Sequence, residues 1–313
     1  MEDVPLDPEI PALVAMHEQG LERLLARAGV DGGGAGVRLL KHHLGLRCTF
    51  ELAAPDRRMA LKLYADDPSP LVALLRRFEG EGLATGRPPT ASPLLAWDRP
   101  LRFVVTGWLT GPSGSELIEG RDGERAAELA LAWLRAAAGV FIELGEEFGA
   151  RTLLRVTERR AQRIRTTEPE LGMLASRCYE ELEASPPQDV GRNVRHSSFK
   201  PSSLIDVGGP GVIDWDDYRQ GVLEYEAGTF LAALARMSHS ARASAEDIEE
   251  LRRTERVFRD GLDGLADPRT LGWYTAADLV KHADRRVRHR PSGWRDVAEG
   301  LLRDALQALE ERG

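Results

Sequence analysis

The chain has 313 residues, of which 42% are hydrophobic and 29% carry a charged side chain. This length suits two domains, and this composition excludes a disordered or fibrous protein. The net charge of -8 argues against a nucleic-acid or membrane partner, because both are anionic and would repel the chain.

Cysteine content and hydropathy indicate the compartment. Cys48 and Cys178 are too few for a secreted disulfide framework or for a metal site of their own. The most apolar stretch, residues 129–144, is too short to cross a membrane, and the N-terminus lacks the basic-then-apolar order of a signal peptide. We therefore expect a cytoplasmic protein.

The first part of the chain predicts helices and strands in alternation. Apolar residues recur at helical spacing over residues 8–28, and a glycine-rich run at 32–36 follows. Ser69 and Pro70 start another helix, because an N-cap residue precedes proline at the first helical position. Alternating or short apolar runs predict five strands, at 37–41, 47–52, 59–64, 92–97 and 101–109.

Beyond Thr110 the pattern is mainly helical. Residues 124–148 form a long helical segment, and the chain ends in an amphipathic helix. Residues 194–222 are the exception, with short strands and loops. These elements predict an α+β protein with a small mixed lobe at residues 1–108 and a larger helical lobe at residues 109–313.

Two segments of the small lobe carry part of a known pattern. Residues 60–64, Ala-Leu-Lys-Leu-Tyr, place Lys62 on a strand, and Glu79 and Glu81 lie on the next helix. Residues 103–111, Phe-Val-Val-Thr-Gly-Trp-Leu-Thr-Gly, lie at the junction of the predicted lobes. Each segment alone is typical of an ordinary strand, and helical periodicity does not choose between the two glutamates.

Three segments of the large lobe complete the pattern. Residues 196–206 read His-Ser-Ser-Phe-Lys-Pro-Ser-Ser-Leu-Ile-Asp, and residues 211–217 read Gly-Val-Ile-Asp-Trp-Asp-Asp. The stretch 221–228, which holds Tyr225 and Glu226, follows. In this order and spacing, the segments resemble the aminoglycoside phosphotransferases and choline-kinase-like small-molecule kinases, which share the two-lobe protein-kinase-like fold.

This resemblance implies a two-lobe kinase-like fold, ATP and Mg²⁺ as cofactors, and phosphotransfer to a small molecule. It implies that Lys62 contacts the nucleotide phosphates, that Glu79 holds this lysine, and that Asp214 binds the metal ion. Thr106 and Trp108 then lie where backbone groups receive adenine. Glu81 remains a rival for the role of Glu79.

The catalytic loop departs from the family pattern at the residues that carry the chemistry. His196 is kept. Ser198 stands where the family has the catalytic aspartate, Ser203 where it has the metal-binding asparagine, and Lys200 where it has a second histidine. Since a serine cannot act as a base near neutral pH, and general-base catalysis contributes about 10²- to 10⁴-fold, we expect an impaired, pseudokinase-like phosphotransferase. It would bind nucleotide weakly or another small ligand.

Two other functions stay open. The chain is an active small-molecule kinase if a carboxylate from elsewhere supplies the base, or an interaction scaffold if it binds no nucleotide. Lys62 and Asp214 argue against the scaffold, whereas Ser198 and Ser203 argue against the active kinase. A basic cluster at residues 281–295 is either an anion or partner site or a solvated helix end.

Overall fold

The computed structural model describes residues 4–32, 34–240 and 243–310. The chain divides into two compact units, Met1–Thr110 with Gly211–Ile213, and Gly111–Pro210 with Asp214–Gly313. The first unit contains an antiparallel sheet and the second is mainly helical. The α+β fold class predicted from the sequence is confirmed.

The sheet unit is built from three helices and the first six strands. They are α1 (Pro11–Gln19), α2 (Leu21–Arg27), β1 (Gly36–His43), β2 (Arg47–Ala53), β3 (Arg58–Tyr64), α3 (Ser69–Gly80), β4 (Thr90–Ala91), β5 (Leu94–Asp98) and β6 (Phe103–Gly107). Five strands pair antiparallel in the order β1-β2-β3-β6-β5. The single helix expected over residues 8–28 is two helices, because Gly20 takes a φ of 86° that a helix cannot contain.

Side-chain alternation gives the sheet one apolar face. On β2 and β3 this face is fully buried with α1 and α2, and consists of Cys48, Phe50, Leu52, Met59, Leu61 and Leu63. Lys62 has the opposite parity, so it lies on the other face of β3. There it stands in register with Thr49 of β2 and Val104 of β6.

The helical unit contains eight α-helices, two short 3-10 helices and three short strands among its described residues. The α-helices and strands are α4 (Gly114–Glu119), α5 (Gly123–Ala138), α6 (Ala150–Thr167), α7 (Pro169–Ala184), β7 (Asn193–Arg195), β8 (Leu204–Asp206), β10 (Arg219–Gly221), α8 (Leu223–Ser238), α9 (Ala245–Gly261), α10 (Pro268–His289) and α11 (Trp294–Glu310). The remaining strand, β9 (Pro210–Val212), pairs in parallel with β4 through Gly211 and Val212. The helix expected over residues 124–148 ends at Ala138, because Gly139 caps it and a loop with Gly145 at φ 98° follows.

Helix α10 forms the centre of the helical unit. It packs against α6, α7, α8 and α11, and most of its residues between Leu271 and Val287 are buried. Its approach to α8 is close at Gly228, where an added Cβ would lie 2.9 Å from the Thr275 nitrogen. Across the ranges that the structure describes, no helix is long and apolar enough to span a membrane.

Candidate functional site

Helix α8 supports the catalytic-loop segment that joins β7 to β8. Three of its side chains hydrogen-bond to the loop backbone. Glu226 accepts from the His196 N–H (3.2 Å), Tyr225 donates to the Ser197 carbonyl (3.3 Å) and Thr229 donates to the Phe199 carbonyl (3.2 Å). Because all three are bonds to backbone atoms, they orient the loop whatever side chains it carries.

His196 joins this loop to the turn that begins at Asp214. Its ring packs edge-on against Trp215, with ring centroids 4.8 Å apart, and Trp215 packs against Trp133 of α5 at 5.5 Å. The His196 side chain is fully buried, which favours a packing role over contact with a substrate. This aromatic stack brings the two motif segments of the helical unit together.

Two residues of these segments have left-handed backbones. Ser197 has a φ of 60°, and Asp214 has a φ of 72° with a ψ of 48°. This conformation costs a non-glycine residue about 1–2 kcal/mol. Residues held at such a cost cluster at functional sites, so the backbone itself marks both segments.

Ser198, at the expected base position, faces an ammonium group. Its hydroxyl lies 3.5 Å from Lys200 Nζ, which is the one hydrogen-bond partner that the described residues offer it. This contact is long and weak. A hydroxyl beside an ammonium group gains no power to accept a proton, because an ammonium group cannot take that proton from it.

Buried polar atoms without partners concentrate around the loop. Ser203 Oγ and Ser197 Oγ have no hydrogen-bond partner among the described residues, and neither do Nε and Nη1 of Arg195. Buried polar atoms are nearly always bonded to protein, water or a ligand. Ser203 Oγ is therefore an oxygen with capacity left for a ligand.

A buried ion pair lies beneath the loop. Arg195 and Glu226 are 3% and 0% exposed, and Nη1 lies 3.8 Å from Oε2. Burial raises the pKa of Glu226, and Arg195 and the His196 N–H oppose that rise. Burial also disfavours the charged form of Arg195, and it therefore lowers the pKa of this guanidinium. The Glu226 carboxylate is therefore engaged with Arg195 and with the His196 N–H, and it supports the loop through them.

Asp206, the last residue of β8, also has a fixed partner. It accepts a two-point hydrogen bond from Arg125 of α5, at 2.7 and 2.9 Å. These bonds lower the pKa of Asp206, against the opposing effect of its burial. The carboxylate therefore anchors the loop to α5.

Lys62 and Glu79 lie on two elements of the sheet unit, β3 and α3. Lys62 is half-buried on β3, whereas Glu79 lies on the exposed side of α3. In the part of the chain that the structure describes, the Glu79 side chain makes no ion pair or hydrogen bond, and its role in holding Lys62 stays a prediction. The rival Glu81 pairs with Arg77 at 2.8 Å. The apolar stripe of α3, which includes Phe78, faces the core and turns both glutamates outward.

The expected adenine-binding segment uses its own backbone donors. Thr106 is buried in β6. The Gly107 N–H donates to the Pro93 carbonyl at 2.8 Å, and the Trp108 N–H donates to the Arg58 carbonyl at 3.3 Å. The Arg58 guanidinium also lies 4.4 Å above the Trp108 ring. The N–H groups at 107 and 108 are therefore already bonded within the sheet unit.

Comparison with known proteins gives a match in structure and none in sequence. No protein-family profile matches the chain, and neither does any curated protein. Among solved structures, aminoglycoside phosphotransferase APH(4)-Ia has a TM-score of 0.64 at 13% identity, over 96% of this chain and 99% of that chain. The fold is that of the aminoglycoside phosphotransferases and choline kinases.

Two further structures support this assignment. Choline kinase from Cryptosporidium parvum Iowa II has a TM-score of 0.58 at 10% identity, over 90% of this chain and 91% of its own. Macrolide 2'-phosphotransferase MphH from Brachybacterium faecium has a TM-score of 0.53 at 17% identity, over 90% of this chain and 97% of its own. At these identities the similarity establishes the kinase-like fold alone.

The loop residues of this kinase-like fold suit a magnesium ion only in part. Mg²⁺ is usually held by one or two carboxylates together with substrate phosphates. Asp214 supplies one carboxylate, and the unpartnered hydroxyl of Ser203 supplies a weaker oxygen ligand. No group of three or more His, Cys, Asp or Glu side chains that could hold a metal occurs within residues 4–32, 34–240 and 243–310. A magnesium ion held by these two oxygens would need its remaining ligands from water or a bound phosphate.

Sequence reasoning missed Asp7, which holds the turn between β1 and β2. This buried carboxylate accepts from the Gly45 N–H at 2.8 Å and lies 2.8 Å from His42 Nε2. The hydrogen bond from the Gly45 N–H is the largest cause that lowers the pKa of Asp7 below its usual range. Burial opposes this effect, and the contact with His42 adds to it. No local signal points to this contact, since Asp7 precedes a helix far from the turn in sequence.

Proposed function

We propose that this chain is an aminoglycoside-phosphotransferase-like protein with impaired phosphotransfer that binds ATP and Mg²⁺ weakly. The observation that carries the proposal is the Ser198 hydroxyl, whose described partner is the Lys200 ammonium at 3.5 Å. Phosphotransfer to an alcohol needs a group that accepts the proton of the attacking hydroxyl. An alcohol and an ammonium group do not accept that proton.

Nucleotide binding is supported by the fold and by residues of both units. A thermostable mutant of APH(4)-Ia was solved in a ternary complex with AMP-PNP and hygromycin B. In this chain Lys62 would pair with nucleotide phosphates, and Asp214 with Ser203 would hold Mg²⁺. When bound, the ion would neutralise phosphate charge. We expect modest affinity, because a serine hydroxyl is a poorer metal ligand than an amide oxygen.

The ligand class follows from charge and composition. A net charge of -8 favours a small molecule over nucleic acid or an anionic membrane surface. Two buried free cysteines suit a reducing compartment, and we propose the cytoplasm.

The test is Mg²⁺-dependent ADP release by the wild type, Ser198→Asp, Ser203→Asn and the double variant. The wild type should be at or near background, and Ser198→Asp alone should help little because the metal remains poorly held. The double variant should release ADP fastest, with non-additive effects, since both groups act on one transition state. Water serves as the acceptor, so no substrate needs to be known.

The matched control is Ser202→Asp, which adds the same charge on an exposed neighbour. It should leave ADP release at background. Robust wild-type turnover that Ser198→Asp does not raise would overturn the proposal in favour of an active kinase with a base from elsewhere. Calorimetry that detects no ATP binding by the wild type would favour the interaction scaffold.

A further inference from the structure

Three arginines near the ends of α8 and α10 have no ion-pair partner among the residues that the structure describes. Arg236 lies in the last turn of α8, and Arg285 and Arg286 lie near the end of α10. None of the three guanidinium groups makes a hydrogen bond or an ion pair with any residue that the structure describes. Two other cations of α10 do: Lys281 bonds Asp278 at 2.6 Å, and Arg288 bonds Asp284 at 3.2 Å.

The packing of the two helices brings these arginines to one place. The Tyr225 and Tyr274 rings are 5.5 Å apart, and Gly228 approaches the backbone of Thr275. Further along, Leu234 and Ala235 of α8 line one cavity with Thr275 and Leu279 of α10, so the two helices continue side by side in the same direction. Counting equal numbers of residues onward from Gly228 and Thr275 brings Arg236 level with Ala283. Arg285 and Arg286 then lie within about one helical turn, roughly 5 Å along the axis.

The charges at this point are not balanced. Arg236 is half-buried, and burial lowers the pKa of its guanidinium, with Arg286 and Arg285 lowering it further and Asp278 opposing. Asp278 is already engaged, since it lies 2.6 Å from Lys281 and 3.2 Å from His282. The carbonyl ends of the two helices attract cations in part. A surplus of positive charge nevertheless collects here in a protein of net charge -8.

We propose that Arg236, Arg285 and Arg286 form a binding site for the phosphate group of a soluble, phosphorylated small molecule. Guanidinium groups bind phosphate through paired N–H donors, and a dianion matches several cations at once. The site is separate from the catalytic loop. Arg236 and Glu226 lie at opposite ends of α8, about 15 Å apart along the helix axis. The site therefore does not depend on the proposed nucleotide binding.

Thermal unfolding of the full chain with pyrophosphate as the probe tests the site. Pyrophosphate should raise the wild-type Tm more than sodium chloride at equal ionic strength. The Arg236→Gln/Arg286→Gln variant should lose this rise, and Arg285→Gln should reduce it. The control Arg288→Gln should keep it, because Arg288 already pairs with Asp284. Without pyrophosphate, Arg285→Gln should unfold at the wild-type temperature or above, because it removes repulsion between like charges.

Calorimetry separates this site from the nucleotide site. Pyrophosphate should bind the arginine double variant about tenfold or more weakly than the wild type, while Lys62→Ala should keep the arginine-dependent binding. If pyrophosphate and sodium chloride raise the Tm equally, the stabilisation comes from charge screening by salt, and the proposal is overturned. If pyrophosphate raises the Tm of Arg285→Gln as much as that of the wild type, the proposal is also overturned. Since Arg285 is exposed, this single variant provides the test if the double variant does not fold. Binding to vesicles that carry a phosphorylated lipid, without binding of soluble pyrophosphate, would reject a small-molecule site.

Discussion

Ser197 carries two unfavourable features at one position of the catalytic loop. Its φ of 60° is left-handed, and its buried hydroxyl has no hydrogen-bond partner among the described residues. Glycine adopts the left-handed region without a side-chain clash. The serine therefore destabilises the loop without an evident return in hydrogen bonding.

We predict that Ser197→Gly raises the free energy of unfolding by about 1–3 kcal/mol. Relief of the left-handed backbone contributes about 1–2 kcal/mol, and loss of an unsatisfied hydroxyl about 1 kcal/mol. The greater conformational entropy of glycine in the unfolded chain reduces this gain by up to about 1 kcal/mol. Urea unfolding measures the change, and Ser197→Ala isolates the hydroxyl term because it keeps the backbone strain. A glycine variant less stable than the alanine variant would contradict this reading.

Residue contacts also set how the loop responds to acid. The depressed pKa of Asp206, caused first by the Arg125 hydrogen bonds, means that the folded state favours the carboxylate form. Its stabilisation is therefore present above the unfolded pKa of about 3.9. It is lost as the pH falls through the lower folded pKa.

We predict that Asp206→Asn costs about 1–3 kcal/mol at pH 7, the usual contribution of a hydrogen bond to a charged group. The difference from wild type should shrink as the pH is lowered from about 5 towards 2. Urea unfolding across this range checks it. Asp67→Asn is the control, since its ion pair with Arg99 is exposed and should matter far less. A difference that is independent of pH would show that the carboxylate charge is not involved.

At the scale of elements, the support of the loop depends on how closely α8 approaches α10. An added Cβ at Gly228 would lie 2.9 Å from the Thr275 nitrogen and 3.1 Å from the Tyr274 carbonyl carbon. Both are backbone atoms, so they cannot rotate away. The helices would have to separate, and Tyr225 and Glu226 would move with α8.

We predict that Gly228→Ala destabilises the protein by about 1–3 kcal/mol, as overpacking of a core does. Gly80→Ala is the matched control, because Gly80 ends α3 with no atom within 4 Å of an added Cβ. That variant should be neutral or stabilising by up to about 1 kcal/mol. Thermal and urea unfolding compare the two. Equal stability of both variants would mean that the two helices can separate at no cost.

At the scale of the whole molecule, a bound nucleotide should stabilise the fold. The proposed phosphate contact is Lys62, and the proposed metal ligand is Asp214. A ligand that binds only the folded state stabilises it by RT ln(1 + [L]/Kd), about 1.4 kcal/mol at ten times Kd. Thermal unfolding of the intact chain therefore reports on both residues.

We predict that Mg²⁺-ATP raises the Tm of the wild type and that Lys62→Ala and Asp214→Asn each reduce the rise. Asparagine is chosen at 214 because it tolerates the left-handed backbone there. Arg99→Ala serves as an exposed control in the sheet unit and should keep the full shift. Unchanged shifts in both site variants would show that the roles of Lys62 and Asp214 are misassigned.

Local spacing along the chain was enough for the strands of the sheet and for the side of β3 that Lys62 occupies. It was enough because side-chain alternation and helical periodicity depend only on neighbours in sequence. Where it failed, a single glycine decided. Gly20 splits the first helix, and Gly139 ends the helix that begins at Gly123.

The sequence by itself thus determined the fold class, through periodicity, and the order of the kinase-like segments, through the resemblance of its motifs to a known family. Only the tertiary structure decided which side chains meet. The support of His196 by Glu226 and the hydrogen bond from Gly45 to Asp7 both follow from how distant segments pack together. These contacts join residues distant along the chain, so no local pattern contains them.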